Sequence, residues 1–290
     1  MSMNRPSFFR PQLEALEDRS LPNNFFHPVV GFGDDVLAPQ AQQSSADADL
    51  FLAAVTNNRA TGNLGNPGVA PLQSNPYGAS YATWSARWWQ YALAIPADQS
   101  PFLDTTGADF AVNQSGNVWY LSGVFCLNMN GQPCPPGSPA TADRTVTLAA
   151  GTSLFFPVLN AETDNLNIDP NSPGFGTQNL GFSVDQLRAQ AKAFIDDAVQ
   201  NGVLAVTVDG RALQNVASYR VTSPVFSYTL PDNNIAGVPA QTVTPAVSDG
   251  IFVMLRPLPV GQHTIEIIGS APNFDFALDV TYHITVTPGR

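Results

Sequence analysis

Residues 276–286 read FALDVTYHITV, and residues 260–268 read VGQHTIEII. In both, apolar and polar side chains alternate one by one. A strand with one face in a core and the other in water has this period, because successive side chains point to opposite sides. Further short apolar runs lie upstream: Asn117–Phe125, Thr145–Leu148, Thr152–Leu159, Leu204–Val208 ahead of an Asp209-Gly210 turn, Tyr219–Val221, Val225–Leu230 and Gly250–Leu255. About nine such runs, punctuated by Gly, Pro, Asn and Asp, predict a mainly β domain of β-sandwich or jelly-roll type. No strand-helix-strand alternation that would announce a parallel sheet is present.

Two segments carry the helical period instead. Ser80 is a fitting N-cap for a helix to about Ala94, stopped by Pro96, with the sequence YATWSARWWQYALAI over 81–95. Ser183-Val-Asp-Gln186 is a capping box, Leu187, Ala191, Phe194, Ile195 and Ala198 form one stripe, and Gly202 follows, which predicts a helix over 184–201. Both are expected at the periphery of the sandwich. In the first, Trp84 and Trp88 share a face with Tyr81 and Tyr91. Such a face is either the hydrophobic plug of the sandwich or a platform (Trp84, Trp88, Tyr91) on which sugar rings stack.

Composition narrows the function classes. Only 12% of the 290 residues are charged, half the ordinary share of about 25%. With 12 Lys+Arg against 23 Asp+Glu the net charge is −11, which argues against nucleic acid and anionic lipid, since both need clustered Lys and Arg. No run of eighteen or so apolar residues predicts a transmembrane helix. Residues 1–30 also lack the continuous apolar core of a conventional signal peptide.

Residues 8–22, FFRPQLEALEDRSLP, resemble the planctomycete extracellular motif, of the form RPxLExLEDRxLP, found ahead of secreted and surface proteins of those bacteria. The resemblance implies export to the cell surface or extracellular space, and implies nothing about activity. Residues 23–76, rich in Ala, Gln, Asn, Ser, Gly and Pro, read as a flexible, low-complexity linker with one short apolar stretch at Leu50–Val55. A single domain is expected over 77–290. It resembles a family of uncharacterised exported bacterial proteins, through YATWSARWWQYALAIP (81–96), LDTTGADFAVNQSGNVWYLSG (103–123), LFFPVLNAE (154–162), SPVFSYTLPDNNIAGVP (223–239) and VSDG (247–250). That family sharpens the domain boundary and assigns no chemistry.

Cys126 and Cys134 flank an Asn130-Gly131 turn signal that would bring their strand ends together, as a disulfide requires. A free thiol pair and a metal site are the alternatives, the last a poor one without further His or Cys. His27, His263 and His283 fall at no metal-ligand spacing, and nucleophile-elbow, phosphate-loop and dinucleotide patterns are absent. The densest set of oxygen ligands is Asn160 to Asn171, where Glu162, Asp164, Asn167 and Asp169 form a candidate Ca²⁺ loop. It departs from the EF-hand pattern, and a plain Asx-turn loop is the other reading. Asp104, Asp109 and Glu162 are the candidate carboxylates for glycoside hydrolysis, should they converge. The leading expectation is an exported binding or structural protein that requires no cofactor, with Ca²⁺ as an optional ligand and an envelope component or polysaccharide as partner. The competing class is a secreted carbohydrate-active enzyme.

Overall fold

The computed structural model describes residues 65–66, 68–125, 138–166 and 181–289. The export motif, residues 23–64, the Cys126/Cys134 pair, Asn167 and Asp169 lie outside the described residues. Among the described residues the chain is mainly β, with ten strands in two five-stranded mixed sheets. One sheet contains β1 (Val118–Tyr120), β3 (Ser153–Asp164) and β8 (Gln241–Leu255) in that order, and β6 (Arg220–Thr222) and β7 (Phe226–Leu230) both pair with β8. The other runs β2 (Ala140–Ala149), β10 (Phe276–Thr287), β9 (Gly261–Ala271), β4 (Leu204–Val208), β5 (Arg211–Ala212).

The two alternating segments are β9 and β10, paired antiparallel from Phe276–Ala271 to Val286–Gly261. Two pairings are parallel, which local pattern does not announce. β10 runs alongside β2, Leu278 opposite Ala140 through Thr287 opposite Ala149, and β1 runs alongside β3. Neither joins consecutive strands, so no strand-helix-strand unit is formed. The sheets approach closely where β9 meets β3. A Cβ on Gly269 would stand 2.7 Å from the carbonyl oxygen of Val158, so only glycine fits there.

β3 and the second half of β8 are buried on both faces, which is why they read as continuous apolar runs instead of alternating ones. Two helices pack against them. Helix α1 (Tyr81–Leu93) begins at Ser80, whose hydroxyl accepts from the Thr83 N–H at 3.2 Å. Helix α2 (Val184–Asn201) carries the complete Ser183/Gln186 capping box. It turns Leu187, Ala191, Ile195 and Ala198 inward, and the Thr163 hydroxyl of β3 donates to the Leu187 carbonyl at 2.7 Å.

The packed chain starts before Tyr77. Val69 is fully buried and bridges to Leu255, and the Ala70 N–H donates to the Met254 carbonyl at 2.9 Å. Asn66 Nδ2 donates to the Gln214 carbonyl and to the Tyr219 hydroxyl. A linker through residue 76 is therefore corrected: residues 68–70 cover the edge of β8 beyond its pairing with β6. Composition does not show that a polar, Pro-rich segment completes a sheet edge.

Candidate functional site

Past its apolar run, β3 continues into Asn160, Glu162 and Asp164, where a loop was expected. A bulge between Pro157 and Leu159 resets the register. From there Asn160 lies opposite Gly250, Glu162 opposite Ser248, and Asp164 opposite Ala246. Alternation puts Asn160, Glu162 and Asp164 on one face. Glu162 and Asp164 are each only 5% exposed. Asp164 Oδ1 accepts from the Leu166 N–H at 2.6 Å, and its Oδ2 accepts from the Tyr228 hydroxyl on β7. Glu162 and Asp164 share a side-chain hydrogen bond.

Burial pushes the Glu162 carboxyl well above the usual carboxylate range, and the neighbouring charge of Asp164 pushes it further. Burial raises Asp164 too, against the hydrogen bonds from Tyr228, Leu166 and Glu162 that favour its ionised form. The Tyr228 phenol is held protonated by its own burial and by both carboxyls. Glu162 Oε1, Ser248 Oγ and Asn160 Nδ2 are buried with no hydrogen-bond partner among the described residues. Asn160 also lines a cavity of about 40 Å³ with Trp88, Trp89 and Phe102. A Cβ on Gly250 would lie 2.6 Å from both Asn160 Cβ and the Phe252 ring, so these two side chains occupy the space over that glycine.

The other carboxylates are placed differently. Asp104 Oδ1 accepts from the N–H groups of Thr106 and Gly107, each at 2.8 Å, and Oδ2 accepts from the Asp109 N–H at 3.1 Å. Burial works to raise the Asp104 carboxyl, but these N–H donors together outweigh it and hold it below its ordinary value. Asp104 is a turn cap. It meets Asp109 through backbone and not as a second carboxyl, and Glu162 takes its partners from β3. Asp104, Asp109 and Glu162 therefore do not form one hydrogen-bonded group among the described residues.

Sequence reasoning passed over Arg144, which is buried on β2. Its Nε donates to the Asp104 carbonyl at 2.7 Å, one terminal nitrogen to the Ser122 carbonyl at 2.7 Å, and the other to the carbonyls of Pro101 (2.7 Å) and Gly123 (3.1 Å). The Tyr282 hydroxyl accepts from it as well. A guanidinium whose donors go to carbonyls of the 101–123 segment and to Tyr282 pins that long irregular stretch to the sheet. A signal was present: Arg144 has the parity of Ala140, Ala142, Val146 and Leu148, the inward face of β2.

The stacking platform is not formed. Trp88 is fully buried and donates its Nε1 proton to the Leu121 carbonyl at 2.8 Å. Trp84 is buried against Phe155 and Tyr120, and Tyr91 lies on Tyr120 with centroids 4.7 Å apart. These rings face protein because each gains more from burial in the core than from water. No helix among the described residues is long and apolar enough to cross a membrane. No family model matches the chain, and neither the curated proteins nor the solved structures give a match to it.

Proposed function

We propose that the chain is an exported protein of the cell surface or extracellular space that acts by binding or as a structural element. The observation that carries this reading is how the candidate catalytic groups are employed. Asp104 caps a turn through three backbone N–H groups, while Glu162 and Asp164 are enclosed between strands with Tyr228. Carboxylates used in glycoside hydrolysis need access to a sugar and to water. Support for export comes from residues 8–22 and their resemblance to the planctomycete extracellular motif. The low content of charged residues and the acidic balance fit a partner such as an envelope component or polysaccharide.

The test combines location with turnover. Full-length protein in its native cells is fractionated, and purified protein is applied to a polysaccharide array with reducing ends assayed in parallel. Recovery in the envelope or medium, with retention on the array and no reducing-end release, is the expected result. Release of reducing ends, abolished in Glu162→Gln, would establish the carbohydrate-active enzyme instead. Recovery in the cytoplasm alone would remove export.

A further inference from the structure

Three side chains on one face of two adjacent strands, Glu162 among them, hold buried polar atoms without a hydrogen-bond partner among the described residues. Ser248 is 1% exposed, stands directly across from Glu162, and its hydroxyl has no partner among the described residues. Glu162 Oε1 is equally without one, and so is the Asn160 amide nitrogen two positions before it on the same face. Buried polar groups are almost always paired, so three orphans on one face of this strand pair indicate something that the side chains themselves do not supply. Among the described residues no ion pair joins Glu162 or Asp164 to a cationic side chain. Arg220 makes its ion pairs with Asp249 and Asp196 instead.

We propose that Asn160, Glu162, Asp164 and Ser248, with the Tyr228 hydroxyl at the margin, form a site for a hard divalent cation of calcium's size. Each of the five supplies an oxygen, and two are carboxylates. Hard cations take six to eight oxygens, so one or two waters complete the shell. Cross-strand neighbours have Cβ atoms about 5 Å apart, within reach of a shared ion through a glutamate and a serine. Rotating the Asn160 amide exchanges its orphan nitrogen for the carbonyl oxygen. Calcium fits better than magnesium, because strands that supply most of the shell strip the ion of water, which Mg²⁺ resists. The site lies on the β3/β8 strand pair and does not depend on the residues beyond Leu166. It stands apart from the question of export.

The experiment is calorimetric titration of chelator-treated full-length protein with CaCl₂, with MgCl₂ and NaCl as separate arms, and thermal melts under each condition. One Ca²⁺ bound per chain is expected, with a dissociation constant of about 10⁻⁴–10⁻³ M or tighter and a Ca²⁺-dependent rise in melting temperature. Glu162→Gln and Ser248→Ala should each weaken binding by about tenfold or more. Glu162→Gln removes a buried ionisable group and keeps its shape, so without metal it should melt no lower than the wild type. That variant separates lost binding from lost folding. No heat and no shift in melting across millimolar Ca²⁺ would overturn the proposal. So would a Ca²⁺ affinity abolished by Asp169→Ala yet untouched in Glu162→Gln and Ser248→Ala, since the ion would then sit in the following segment.

Discussion

Arg144→Met tests the anchoring of the 101–123 segment. Methionine preserves the aliphatic stem and removes every donor. Four carbonyls, one buried and three part-buried, lose a partner, but not equally. Ser122 O keeps the Tyr282 hydroxyl, and Pro101 O keeps the Ser122 hydroxyl. Asp104 O and Gly123 O lose the guanidinium N–H groups at 2.7 and 3.1 Å. Orphaning a buried acceptor costs about 1–3 kcal/mol, so two of them amount to about 2–6 kcal/mol. The variant is relieved of burying a guanidinium that makes no ion pair among the described residues, which offsets part of that. A net destabilisation of about 2–3 kcal/mol remains, or a fall in melting temperature of about 5–10 °C for a domain of this size. Urea and thermal unfolding at pH 7 measure it, and hydrogen exchange should show the loss concentrated in residues 101–123. Arg144→Lys should recover less than half, because three donors on one nitrogen cannot serve carbonyls spread around a planar fork. Stability of Arg144→Met within about 0.5 kcal/mol of the wild type, the range of an ordinary surface substitution, would refute the anchoring argument. A fully stable Arg144→Lys would refute the geometric part of it.

Two further outcomes are expected. His263 places Nδ1 against Asp209 Oδ2 at 2.8 Å and Nε2 against the Pro259 carbonyl at 2.9 Å, an arrangement that only the imidazolium satisfies on both sides. Burial works to lower its pKa, but the bonds to Asp209 and Pro259 outweigh it and raise it above the ordinary 6.5. Because the folded value is the higher one, the stabilisation is complete below about pH 6.5 and is lost as pH rises through the folded value. Melting temperature should fall over that interval in the wild type and lose this component in His263→Ala; identical pH profiles would show that the contact contributes nothing. Removing residues 1–76 should destabilise the domain more than removing residues 1–64. The longer deletion takes away buried Val69, the Ala70–Met254 hydrogen bond and the Ala70 carbonyl that accepts from the Tyr81 hydroxyl at 2.6 Å. Equal melting temperatures for the two truncated proteins would count against a structural role for residues 65–76.

What residues 1–290 determined without tertiary context are the features whose causes are local. Both helices begin at the serine that the pattern marks, because an N-cap and a capping box act within four residues. β4 and β10 coincide with their apolar runs, since alternation records which face meets a core. Contacts between distant segments decided the rest. Gln241–Asp249 is the larger part of the 15-residue β8, yet its Thr, Ser and Pro read as a connection until β3 and β7 pair with it. Glu162 and Asp164 have the composition of a calcium-type loop, and only their pairing with β8 makes them part of a buried strand. Whether a carboxylate is a turn cap, as Asp104 is, or an enclosed acid, as Glu162 is, depends on dielectric and on hydrogen-bond donors brought from elsewhere in the chain. Those quantities exist only once the sheets have formed, and neither residue type nor spacing encodes them.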